Sequence, residues 1–123
     1  MSRRSRSQDS SSKHSSDTLG ARIERLNLVL FEELAALVQD ELRDPRLADV
    51  ILCKLELSVD ARTARVHYLV RGPDGPGRGA RVADGLTRAT PFLRARLAEA
   101  VDLKRAVDLR FIHQGFVPMS GEP

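Results

Sequence analysis

A chain of 123 residues, 41% hydrophobic and 30% charged, is sized for one domain with room for a tail. Its single cysteine, Cys53, excludes an internal disulfide and any multi-cysteine zinc site, and no run approaches the roughly 18 apolar residues that cross a membrane. The net charge of +3 conceals a polarity, because residues 21–60 carry 5 basic and 9 acidic side chains and residues 61–123 carry 11 basic and 6 acidic.

Residues 1–18 hold eight serines, with Arg3, Arg4, Arg6 and Lys13 among them and no apolar run. Such a segment cannot bury enough surface to offset its ordering entropy, so residues 1–20 read as a disordered Ser/Arg-rich tail. The N-terminus has charge but no apolar signal core, which makes the expected location cytoplasmic.

From Arg22 onward, Ile23, Leu26, Leu30, Leu34, Leu37 and Val38 keep the spacing of one helix face. Arg22, Arg25, Glu32, Glu33, Asp40 and Arg43 fall on the other side. Pro45 lacks the N–H a helix needs and restricts Asp44, which predicts a helix from about Ala21 to Arg43, roughly 35 Å long at 1.5 Å per residue. Asp44-Pro45-Arg46 is its stop, with Arg46 placed to pair with Asp44 or Asp49. The period then switches to two. Ile51, Cys53, Leu55, Leu57 and Val59 alternate with Leu52, Lys54, Glu56 and Ser58, predicting a strand over about 50–59 with Cys53 as a small core residue.

Asp60-Ala61-Arg62-Thr63 reads as a tight reversal. The strand after it, 64–71, sends Ala64, Val66, Tyr68 and Val70 to one face and Arg65, His67, Leu69 and Arg71 to the other, completing an antiparallel hairpin. Gly72 to Gly79, GPDGPGRG, is a loop. A P-loop would continue with Lys and then Ser or Thr, and here Ala80-Arg81 follow, so only Arg78 stands as a phosphate contact. The helical period returns at Val82, Ala83, Leu86, Ala89, Leu93, Leu97 and Ala100. Pro91 interrupts it and predicts two short helices, 80–89 and 91–101, bent at Ala89-Thr90-Pro91 with Thr90 as N-cap. A last strand over about 107–113 precedes a short loose tail, 115–123. The predicted fold is α+β in the order α-β-β-α-(bend)-α-β, a single domain over 21–114 whose three-stranded sheet is covered by helices on one face.

Eight arginines lie between Arg62 and Arg96, against Asp74 and Asp84 alone. Arg81, Arg88, Arg94 and Arg96 gather about the bend, and Arg65, Arg71 and Arg78 lie in or after the second strand. A guanidinium group binds phosphate with two parallel hydrogen bonds and stacks on bases, so these seven are the candidates for binding a polyanion such as RNA. A helix starting at Pro91 would add a positive dipole end. One Tyr, placed inward by alternation, and four Phe do not favour sequence-specific single-strand readout, which leaves shape and backbone recognition of structured RNA. No Ser-His-Asp or paired-carboxylate constellation occurs, and His67 and His113 lie on different strands without a metal partner. The expectation is therefore no catalysis, no metal, no cofactor and no small-molecule substrate. The alternative is a protein-interaction module that docks through the acidic long helix at Glu32, Glu33 and Asp40.

The element order is that of a type II KH domain. RIERLN from Arg22, then EEL and DELRDPRL, LELSVDAR, TARVHYLV, LTRATPFLRARL and VDLRFI resemble the bacterial ribosome-binding factor A family from about Arg22 to His113. Asp44-Pro45-Arg46-Leu47 and the Leu57-Ser58-x-Asp60 turn are the most specific pieces. The resemblance implies a non-catalytic assembly factor that binds the immature small (30S) ribosomal subunit and its precursor rRNA late in maturation. It also implies support of 5′-end processing, a role that matters most in the cold. Arg46, first of all part of the helix stop, is in addition a candidate ribosome contact. A monomer is expected. In that family an Ala-x-Gly bend stands between the two helices. Ala89 matches it, Thr90 fills the variable place, and Pro91 replaces the glycine, removing one backbone donor to phosphate.

Overall fold

The computed structural model describes residues 20–103 and 105–119. Its elements are α1 (Ser2–Asp40, described from residue 20 on), a 3-10 turn (Pro45–Leu47), β1 (Val50–Leu57), β2 (Thr63–Arg71), α2 (Arg78–Ala100) and β3 (Asp108–Val117). The strands form one sheet in the order β1-β2-β3, with β1 antiparallel and β3 parallel to the central β2. A parallel neighbour requires a crossover, and α2 supplies it. This is the expected α+β, KH-like arrangement, with α1 and α2 burying their apolar stripes against one sheet face. The tail expected over 1–20 falls, up to residue 19, outside the described residues.

On α1 the predicted stripe is the buried one, with Leu30, Leu34, Leu37 and Val38 in the core. Asn27 fixes the helix to the sheet, its side-chain oxygen accepting from the Leu57 N–H at 2.9 Å. The helix closes at Asp40, short of the expected Arg43. The N–H groups of Glu41 and Leu42 both donate to the Leu37 carbonyl, at 2.9 and 3.2 Å, and Pro45 then holds Asp44 extended at φ −71, ψ 117.

The central strand follows its alternation, with Ala64, Val66, Tyr68 and Val70 all buried. The edge strand β1 does not. Its pairing steps from Leu52 opposite Tyr68 to Lys54 opposite His67, leaving Cys53 as an extra residue. Such a bulge reverses the phase of everything on one side of it. Val50 therefore shares the core with Leu55 and Leu57, Ile51 is only partly covered, and Cys53 is exposed rather than a core residue. The strand also stops at Leu57, so Val59 is 85% exposed. In the reversal, the Asp60 carboxylate accepts from the Ser58 hydroxyl at 2.7 Å and the Arg62 N–H at 3.1 Å, and Ala61 takes φ 59.

The two expected short helices are one continuous span through Pro91. A proline inside a helix costs about 3 kcal/mol, whereas each fully buried leucine contributes about 1.5–3 kcal/mol. Leu86 before Pro91 and Leu93 and Leu97 after it lie on one buried stripe, and a break would lift one set from the sheet. Thr90 is accordingly not an N-cap. Its hydroxyl donates back to the Leu86 carbonyl at 2.8 Å, the habit of threonine inside a helix. At the other edge, β3 runs to Val117, beyond the expected 113, so 115–117 are strand rather than tail. Gln114 is an extra residue between the pairs Tyr68–His113 and Leu69–Gly115, and Gly115 takes φ 148.

Candidate nucleic-acid interface

The seven candidate arginines do not meet on one surface. Arg65 stands on the sheet face away from the helices, 3.5 Å from Glu56. Arg71 lines a cleft of about 310 Å³ with Val38, Leu42, Pro45 and Leu47. Arg78, only 22% exposed at its side chain, binds Asp49 at 3.0 Å and donates to the carbonyls of Arg71 and Pro73 at 2.8 and 3.1 Å. Its guanidinium also lies 5.7 Å from the centre of the Phe116 ring. Arg94 donates to the Val107 carbonyl at 3.2 Å. Six positions after Arg88, it points about 120° away from it around the helix axis.

Arg81, Arg88 and Arg96 remain together, within about 80° of one another on the outward side of α2 at 100° per residue. Arg88 is 74% exposed at its side chain and among the described residues pairs only with Asp84, at 3.3 Å. Among the described residues the one side-chain hydrogen bond of Arg81 is a long one, 3.4 Å to the Pro76 carbonyl. Arg96 reaches across to Glu41 beyond the end of α1, at 3.0 Å. Ala89, Thr90 and Pro91 sit within this helix, not at a junction between two. The helix end expected at Pro91 is absent, and the N-terminus of α2 lies instead at Gly77, which adopts φ 70.

Beneath the outward face, the 3-10 turn is clamped against α2. The Arg46 guanidinium holds Asp44 at 2.6 Å and Asp84 at 2.8 Å, and the Arg46 N–H donates to Asp44 at 3.0 Å. Those hydrogen bonds from Arg46 keep the Asp44 carboxyl below its ordinary value and raise the guanidinium in turn. Asp44 was one of the two expected partners of Arg46. The other, Asp49, belongs to Arg78. Sequence reasoning missed Asp84 and Gly85. A Cβ on Gly85 would lie 3.0 Å from Leu47 Cδ2 and 3.3 Å from Asp44 Oδ2, so glycine is what lets the turn seat. The only sequence signal was a glycine inside a helical pattern, and it named no partner.

His67 and His113 are held within the sheet by local contacts. His67 meets Glu56 at 3.0 Å, and that hydrogen bond holds the Glu56 carboxyl below its usual value. His113 stacks on Tyr68 with ring centres 5.1 Å apart, and burial pushes the Tyr68 hydroxyl up. Among the described residues no three His, Cys, Asp or Glu side chains group as a metal site, and no helix is long and apolar enough to cross a membrane.

Known proteins are similar to this chain in sequence and in fold. The family model for ribosome-binding factor A matches residues 22–118. The ribosome-binding factor A of Vesicomyosocius okutanii is 34% identical over 91 residues, 74% of this chain and 76% of the relative. That of Heliobacterium modesticaldum is 34% identical over 93 residues, 76% of this chain and 75% of the relative. The crystal structure of ribosome-binding factor A from Thermus thermophilus matches with a TM-score of 0.63 at 27% identity, over 82% of this chain and 99% of that one. A homology model of the Thermus thermophilus factor, fitted into the cryo-EM map of a 30S complex, matches with a TM-score of 0.56 at 28% identity, over 80% of this chain and 96% of that one.

Proposed function

The chain belongs to the ribosome-binding factor A family, and on that premise we propose that it is a non-catalytic assembly factor of the small ribosomal subunit. It binds the immature 30S subunit and its precursor rRNA in the cytoplasm, as a monomer, late in maturation. It aids processing of the 5′ end, with its largest effect in the cold. The family match over residues 22–118 carries this reading, and a homology model of a relative of the same fold, fitted into the map of a 30S complex, supports it.

In this reading the contact surface is the outward side of α2, with Arg81, Arg88 and Arg96 meeting phosphates and Arg46 at its margin through the shared Asp84. Arg78 and Arg94 serve the fold, Arg71 lines the cleft beside the 3-10 turn, and Arg65 faces elsewhere. Pro91 offers no N–H, so recognition here runs through guanidinium groups and not through a backbone cradle. Each phosphate neutralised releases counterions, so affinity falls steeply with ionic strength. The test is co-sedimentation with immature small subunits across a salt series, for the unmodified chain and for Arg81→Glu/Arg88→Glu. Loss of binding by the double variant is expected, and unchanged co-sedimentation would exclude this surface.

A second contact, to protein, has one observation in its favour. Leu28 and Val29 are 56% and 43% exposed on α1, beside Glu24, Arg25 and Glu32. Binding through that face would survive ribonuclease treatment and respond to charge reversal at Glu32.

A further inference from the structure

Of the four phenylalanines, Phe31, Phe111 and Phe116 pack against the core, while Phe92 stands 41% exposed on α2. The core does not need that ring, because the next residue, Leu93, is fully buried in its place. Among the described residues the other exposed large apolar side chains are Leu28, Val29, Val59 and Met119, none of them aromatic. An isolated exposed apolar residue is ordinary. The setting of this one is not, since Phe92 follows Arg88 by one helical turn and precedes Arg96 by one.

At 1.5 Å per residue the two arginine backbones are about 12 Å apart with the ring between them. The Arg96 guanidinium lies 5.8 Å from the ring centre, so the π-face already accepts a cation at one place while much of the ring stays open. Its outward neighbours Pro91 and Ala95 are small and themselves exposed. An aromatic ring with positive charge a turn away on either side is what an unpaired nucleotide needs, a surface to stack on and partners for the flanking phosphates.

We infer that Phe92 is a stacking platform for an unpaired base of small-subunit rRNA, with Arg88 and Arg96 holding the phosphates on either side. The inference rests on the rRNA-binding reading above and adds to it a ligand feature, an unstacked nucleotide, that residue counts argued against. Stacking accepts any base, so the platform selects single-stranded or bulged structure and not a sequence.

The test uses the full chain with two probes, immature small subunits in sedimentation and protein-free small-subunit rRNA in fluorescence. Phe92→Leu keeps apolar volume and removes the π-face. It lowers subunit affinity about 5- to 20-fold and leaves the slope of affinity against salt unchanged, because no phosphate contact is lost. The chain has no tryptophan, so Phe92→Trp introduces the sole indole. That variant keeps its affinity, and rRNA quenches its emission saturably. Unmodified affinity in Phe92→Leu, or an indole emission indifferent to bound rRNA, overturns the platform; if Arg81→Glu/Arg88→Glu still abolishes binding, the parent reading survives. Should the unmodified chain fail to sediment with small subunits at all, the parent reading falls and takes the platform with it.

Discussion

The first turn of α2 and its middle both carry arginine, yet the two regions use it in opposite ways. At the first turn, Arg78 is turned inward and satisfied by Asp49, two carbonyls and an aromatic ring. At the middle, Arg88 touches one carboxylate and leaves most of its side chain in water. A guanidinium group saturated by its own chain holds a fold together. One left nearly unpaired retains its donors for an outside anion. The difference lies in the neighbours and not in the residue type, and a count of arginines cannot show it.

Substitutions can break or sharpen this contrast. The largest effect is expected beneath the outward face, where Gly85→Leu would drive a side chain into Leu47 and Asp44. The cost is that of overpacking, about 1–3 kcal/mol in a urea unfolding curve. Next, Arg78→Ala should lower stability by about 1–2 kcal/mol and leave small-subunit affinity, measured at a temperature where the variant is folded, unchanged. Arg88→Glu should do the reverse, with unfolding shifted by less than about 0.5 kcal/mol and affinity at low salt reduced about tenfold. If both variants lose binding in equal measure, the contrast is wrong.

A smaller effect concerns acid. Asp44 sits below its ordinary value of 3.8 in the folded chain, so its contribution to stability is present above that pH and is lost as the pH falls through the folded pKa. Stability measured from pH 5 downward should therefore decline less steeply in Arg46→Ala than in the unmodified chain, since the guanidinium is the main cause of the shift. The smallest expected change is that of Arg65→Glu, which should alter subunit affinity by less than about twofold, because the proposed phosphate contacts lie on the opposite layer.

Much of the architecture is legible in the chain. Strict alternation from Ala64 to Val70 gives the central strand and its buried face, and the stripe from Ile23 to Val38 gives the helix that covers it. Other features leave no mark in the pattern. Ile51 to Val59 alternates so evenly that nothing reveals Cys53 as a supernumerary residue, because a bulge is a property of the pair and not of one strand. Pro91 signals a break by local rules, and burial of leucines on both sides of it overrides them. For the candidate site, residue type pointed to α2 but could not separate Arg88 from Arg94, whose side chain is drawn toward Val107. Nor could a count of phenylalanines show that one ring of the four is left outside.

The interruptions at Cys53 and Gln114 share a property of position. Each lies on an outer strand, β1 or β3, and the central β2 keeps an unbroken run. An outer strand exposes a row of unsatisfied amides and carbonyls that a strand from another molecule can add to. A supernumerary residue on each side offsets that row and strengthens the local twist, so an incoming strand finds only a few matched bonds before the spacing fails. Both outer strands are thereby poor templates for a further strand, and the sheet resists growth at either edge.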